Sequence, residues 1–177
     1  MRKKLTWVVL LGASIGVAVI FYTSNAWATP AIGFVSTTLA MGRFDEIDVF
    51  NQLVQPRGPE EQHGSNVWLS LQKTKGLSDL YVQSNVWQPG GTSGWHTHPG
   101  HSLITVIEGT VTAYEGDDPA CKPRVYTQGM GFVDPGDGHV HNLRNEGSVQ
   151  ARTITVQLLP TGAPRRIDAE NPGHCLF

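Results

Sequence analysis

The chain has 177 residues, 40% of them hydrophobic and 16% charged, which suits one compact domain with an apolar core and argues against a second full domain. A formal net charge of −2 and a pI near 6.4 exclude the basic stripe that neutralises nucleic-acid phosphates, so nucleic acid is not an expected partner.

Residues 1–28 read as a signal peptide. Arg2, Lys3 and Lys4 make a basic start, Leu5 to Tyr22 is almost wholly apolar, and Ala26-Trp27-Ala28 supplies a small-x-small cleavage site. Cleavage after Ala28 is expected, and with it an exported protein, periplasmic or extracellular. The alternative is an uncleaved anchor over residues 5–22, since about 18 apolar residues can just span a bilayer. Without residues 1–28 the chain keeps 10 Lys and Arg against 15 Asp and Glu, a formal −5.

Residues 29–66 are less regular and are expected as an extension wrapping the outside of the domain, with a loop at Gln55-Pro-Arg-Gly-Pro-Glu-Glu-Gln. Residues 67–159 carry short runs rich in Val, Ile, Thr and aromatics, broken by Gly and Pro, with no sustained 3.6-residue period. This is an all-β pattern. Strands are predicted near Val67–Leu71, Leu80–Trp87, Leu103–Ile107, Thr110–Tyr114, Arg124–Tyr126, Gly131–Val133, His139–Arg144 and Ala151–Leu158. Turn signals such as Gln88-Pro-Gly-Gly and Asp134-Pro-Gly-Asp-Gly separate them, as in a barrel or sandwich. Residues 160–177 read as an extended C-terminal tail.

Histidine placement carries the chemistry. Five of the seven histidines fall in two clusters, His96-Thr97-His98-Pro99-Gly100-His101 and His139-Val140-His141, whereas His63 and His174 stand alone in loop-like sequence. Residues i and i+2 of a strand share a face, so each His-x-His pair can turn both imidazoles to one point. Neutral imidazole binds divalent Fe, Zn, Mn, Ni or Cu, and metal identity is left open. The only two cysteines, Cys121 and Cys175, lack Cys-x-x-Cys or zinc-finger spacing and are expected as a disulfide, in keeping with export.

These residues resemble the cupin family. Its first motif (Gly, five residues, His-x-His, three or four residues, Glu, six residues, Gly) is matched by Gly90, His96, His98 and Gly109, with Ser102 at the Glu position. Its second (Gly, five residues, Pro-x-Gly, two residues, His, three residues, Asn) is matched by Gly129, Pro135, Gly138, His141 and Asn145, with one extra residue before Gly138. The resemblance implies a double-stranded β-helix, a cupin jelly-roll barrel, with a divalent metal held by His96, His98 and His141. Because Ser102 replaces the Glu, the fourth ligand is left open between His101, His139, water and substrate. The site also resembles three-histidine cupin oxygenases, which implies a metal-dependent enzyme acting on a small organic molecule; a non-catalytic binding or sensing cupin is the alternative. No metal-independent catalytic motif is present. Ser102 and His139 are candidate proton-transfer groups and Arg144 a candidate clamp for an anionic substrate. Trp87, Trp95 and Tyr81 are candidates for pocket walls or packing, and the sequence leaves a homodimer open.

From the leader, the exported protein is expected to begin at Thr29. Intact mass and N-terminal sequencing check this, and a retained Met1 or Arg2 would show an anchor instead.

Overall fold

The computed structural model describes residues 28–54 and 67–177, so the leader up to residue 27 and the loop expected from Gln55 lie outside the described residues. Within the described residues every regular element is a strand: β1 (Ile32–Phe44), β2 (Asp48–Val54), β3 (Val67–Lys73), β4 (Ser78–Thr92), β5 (His96–Thr97), β6 (Ser102–Glu108), β7 (Thr110–Glu115), β8 (Arg124–Thr127), β9 (Gly131–Asp134), β10 (His141–Arg144), β11 (Ala151–Pro160) and β12 (Ile167–Asp168).

All pairings among them are antiparallel. One layer runs β1-β4-β11-β6-β9 and the other β12-β5-β10-β7-β8. The two join where Thr92 of β4 pairs with Arg144 of β10. The result is an all-β, barrel-like double-stranded β-helix, the expected fold class.

The period-2 pleat divides the interior into two zones. At one end Trp87, Val106 and Ala151 of the first layer meet Val111, Ala113 and Leu143 of the second, a dry core packed on by Phe34, Tyr126 and Phe132. Each large apolar side chain buried there contributes about 1.5–3 kcal/mol. Further along the same strands the inward positions turn polar: Thr153, Thr155 and Gln157 on β11, Gln83 and Asn85 on β4, and Ser102 on β6 are buried. Those side chains need partners, and several bond one another. Asn85 Nδ2 donates to Thr155 Oγ1 at 2.9 Å, Gln83 Nε2 to Gln157 Oε1 at 3.2 Å, and Ser36 Oγ to Gln83 Oε1 at 2.8 Å.

Three organisational expectations need correction. Residues 29–66, expected to wrap the outside, supply β1, which pairs with β4 from Phe44↔Ser78 to Ile32↔Thr92. Arg43 fixes that edge by donating from Nε and Nη2 to the buried Asp79 carboxylate at 2.7 and 3.1 Å. Val67–Leu71, expected as a strand of the barrel, does form a strand, β3, but in a separate two-stranded ribbon with β2 that leaves Phe50, Trp68 and Leu71 exposed. The tail after residue 159 is not merely extended, because β12 pairs with β5 and closes the second layer. β1 and β12 lie at sheet edges and β2–β3 stands apart, so only part of each strand is covered and apolar alternation is weak.

Cys121 and Cys175 form the expected disulfide, with Cα atoms 5.4 Å apart. It ties the end of the chain to the loop after β7 and sits against Trp95 and Tyr114. Phe177 stacks on Trp95, with centroids 6.3 Å apart, and tilts on Tyr114 at 4.6 Å. Closing a 54-residue separation stabilises the fold by about 4 kcal/mol on chain entropy alone. Both cysteines are expected to resist alkylation until reductant is added, and Cys175→Ser to lower the urea midpoint by an amount worth about 2–4 kcal/mol. Immediate labelling of both thiols in native protein would contradict the link.

Candidate metal centre

β5 and β10 are antiparallel neighbours that set His96 directly opposite His141, so both imidazoles project from one face. His98, two residues on, turns to the same point. Ring centroids are 4.3 Å apart for His96 and His141, 4.9 Å for His96 and His98, and 5.5 Å for His98 and His141. One ring nitrogen of each lies within 4.8 Å of the others, close enough for a single ion to bind all three.

Backbone carbonyls orient the rings. His96 Nδ1 donates to the Gly94 carbonyl at 2.8 Å, His98 Nδ1 to the Arg165 carbonyl at 2.5 Å, and His141 Nδ1 to the His139 carbonyl at 3.4 Å. A carbonyl only accepts, so each Nδ1 carries the proton and each Nε2 keeps a free lone pair. Glycine at position 94 is required for this: its φ is +68°, and an added Cβ would fall 2.2 Å from the Thr29 carbonyl oxygen.

Burial keeps the rings neutral, the form a metal needs. Burial, reinforced by the neighbouring His141, Arg166 and His98, holds His96 well below the ordinary imidazole pKa. Burial also lowers His98, and pushes His141 down to about 4 against the pull of Asp134.

The three histidines border a cavity of about 130 Å³, which compares with the roughly 10–15 Å³ that one water requires. Its walls combine Trp87, Ile104 and Leu143 with the polar stripe and with Arg165 and Arg166. Ser102, 2% exposed, lines it with an Oγ that has no hydrogen-bond partner. Asp134 of β9 stands directly opposite Ser102 across the β6–β9 ladder. It is 5% exposed, with Oδ2 3.6 Å from His98 Nε2 and Oδ1 3.6 Å from His141 Nδ1.

The remaining expected residues divide. His139 stacks on His141 at 6.1 Å and places Nε2 3.0 Å from Glu115 Oε2; with Asp134 and His141 it forms a second group able to hold an ion. His101 is not brought to the cluster. It lines surface clefts with Leu158 and Phe44, and its neighbour Gly100 packs closely on the Leu158 carbonyl. Arg144, expected as a clamp, does not line the cavity: its guanidinium sits 4.2 Å from the Phe177 ring centroid and 3.6 Å from Glu146. Arg165 and Arg166 line the cavity instead, and sequence reasoning passed over both, together with Asp134. Trp87 does line the cavity, Trp95 packs under the tail, and Tyr81 lies under Arg165.

These histidines give metal-free protein a defined pH response. Neutral in the fold and protonated below about pH 6.5 when unfolded, His141 contributes stability that is complete above 6.5 and lost as pH falls toward 4, by about 3 kcal/mol. Chelator-treated protein is therefore expected to lose thermal stability between pH 7 and 4.5, and His141→Gln to flatten that dependence. An unchanged slope in the variant would contradict the assignment.

A family model for the cupin domain matches residues 85–157. No curated protein matches the chain. Among solved structures it is similar to an uncharacterized conserved protein with a double-stranded beta-helix domain from Klebsiella pneumoniae, at 24% identity and TM-score 0.44, covering 51% of this chain and 75% of that one. It is also similar to the polyketide cyclase RemF from Streptomyces resistomycificus, at 20% identity and TM-score 0.43, covering 52% and 64% respectively. An oxalate oxidase is similar at 25% identity and TM-score 0.39, covering 53% of this chain and 44% of that one. The chain thus spans less than two thirds of RemF and of the oxalate oxidase. The family match is thus to the stretch 85–157, which holds both histidine clusters inside the double-stranded β-helix.

Proposed function

We propose that this chain is an exported divalent-metal cupin in which His96, His98 and His141 hold the ion and a small organic molecule binds in the cavity beside it, with oxygenase-type oxidation as the reaction. The observation that carries the reading is the convergence of three neutral imidazoles, two buried and His98 half-buried, each with Nδ1 tied to a carbonyl and Nε2 left free, at the edge of a cavity large enough for a ligand. An ion held there would supply Lewis acidity and redox capacity that no side chain provides. The chain's own contribution is positioning. Arg165 and Arg166 favour an anionic or strongly polar ligand, Gln83 and Asn85 offer neutral hydrogen bonds, and Trp87 and Leu143 exclude water behind them. Ser102, whose hydroxyl is unpartnered at the cavity, is the proposed proton-transfer group. Export is supported by the leader sequence and by the disulfide, which persists in oxidising compartments.

A second reading, a non-catalytic ligand-binding cupin, is favoured by the Gln83–Gln157 and Asn85–Thr155 pairs, which are neutral and carry no general base. Two measurements separate these proposals. His96→Ala and His141→Ala are expected to cut metal content to about a tenth or less of the wild-type value, while His101→Ala leaves it unchanged; equal content in all three variants would remove the metal assignment. Iron-loaded protein is then expected to consume oxygen with at least one member of a diketone, phenol and thiol panel. Saturable binding of a panel member without oxygen uptake would favour the binding protein.

A further inference from the structure

We infer that the outer face of the first layer and the β2–β3 ribbon form a two-fold interface with a second copy of this chain. The first observation is an inverted pleat. β11 turns Thr153, Thr155 and Gln157 into the barrel and Ile154, Val156 and Leu158 to its outer face. On that outer face Ala40, Val82, Val156, Leu103 and Val133 stand opposite one another in turn across β1, β4, β11, β6 and β9. Directly opposite residues project from one face, so five strands present an unbroken apolar row. An antiparallel sheet with water on one side ordinarily turns its polar residues outward, and here they point inward.

The second observation is an uncovered ribbon beside an apolar cleft. Phe44, Leu80, Leu103, Val156 and Leu158 line a cleft of about 180 Å³, against the roughly 10–15 Å³ that one water requires. Ile47 and Gln72, at the root of the ribbon, line it as well, so ribbon and cleft are continuous. Among the described residues the ribbon pairs with no other strand. An isolated two-stranded ribbon is marginal in water, and this one leaves Phe50, Leu53, Trp68, Leu69 and Leu71 52–70% exposed. The chain's own ribbon therefore does not fill the cleft.

Area, charge and symmetry select a second copy as the occupant. The five ribbon residues, with Leu103 and Val133, leave on the order of 800 Å² uncovered, which is the per-partner area of a standard interface. The row holds no charged side chain, and the flanking cations Arg152 and Lys73 are paired with Glu108 and Asp48 at 3.0 and 2.7 Å. Two such faces meet without unpaired charge, whereas a surface that binds anionic lipid carries free Lys and Arg. A two-fold operation brings the same patch of both chains together, so each ribbon covers the other chain's cleft in one closed contact.

The test is sedimentation velocity of the exported protein over about 0.1 to 100 µM. Wild type is expected to sediment as two chains from about 10 µM upward. Leu103→Glu and Trp68→Asp alter side chains that are already half exposed in the single chain, so both variants are expected to fold, as circular dichroism and the thermal midpoint check. Each is expected to weaken association by about 100-fold or more, because it places a charge in a desolvated contact. Val125→Glu, at an equally exposed side chain on β8 of the second layer, is expected to leave association unchanged. A single-chain mass for wild type at about 100 µM overturns the inference, and flotation of that single chain with phosphatidylcholine vesicles would assign the face to lipid instead. A dimer that survives either Leu103→Glu or Trp68→Asp also overturns it, since face and ribbon are required together. So does a dimer that Val125→Glu dissociates, because the contact then lies on the other layer.

Discussion

The antiparallel register of β5 against β10 sets His96 opposite His141, and the surrounding structure follows from having to bury both rings on one face. A slip of one residue would turn this face outward and bring other side chains in. Once buried, the rings are held neutral, and a neutral imidazole has one donor to satisfy. The carbonyls of Gly94, His139 and Arg165 do so for the three histidines. The glycine at 94 answers this demand, because a side chain there would collide with the Thr29 carbonyl that closes over the turn.

A barrel that carries a polar wall must compensate it, and the compensation is uneven in an informative way. Gln83, Gln157, Asn85 and Thr155 bond one another across β4 and β11, so most of the stripe is satisfied from within. Asn85 Oδ1 and Ser102 Oγ are not satisfied, and both residues line the cavity that the histidines border. Folded proteins leave few such atoms, and here they are also found away from the cavity, at Thr97, Glu115 and His174. The apolar end, built on Trp87, Val106, Val111 and Leu143, lets the other end remain under-satisfied without loss of the fold.

The parts of this arrangement visible in the sequence are those set by local spacing. His-x-His in a β pattern, a second His at the end of a Gly-rich turn, and two cysteines without metal spacing led to the histidine cluster and the disulfide. What was not visible depends on pairing between distant strands. Asp134-Pro135-Gly136 has the composition of a turn, and nothing local shows that Asp134 lies opposite Ser102 across the β6–β9 ladder. Arg144 is a candidate clamp by its charge alone, but its guanidinium lies over the Phe177 ring instead. β1 escaped notice because an edge strand exposes most of its residues, so its apolar and polar positions do not alternate.

That last contrast gives the tail a role that its composition conceals. Residues 165–169 build one wall of the site. The Arg165 carbonyl accepts from both His98 Nδ1 and Gln157 Nε2, Asp168 pairs with His96 in the β12–β5 ladder, and the Ala169 amide donates to the Trp95 carbonyl at 2.9 Å. Two residues in this span, Arg165 and Arg166, also line the cavity. A segment with so few apolar anchors would fray if its end were free, because terminal residues lose backbone entropy on docking with little burial in return. The Cys121–Cys175 link and the packing of Phe177 against Trp95 and Tyr114 remove that freedom. The Arg165 carbonyl that orients His98 therefore sits in a segment held from three sides, by Gln157, by the β12–β5 ladder and by the Cys121–Cys175 link beyond it.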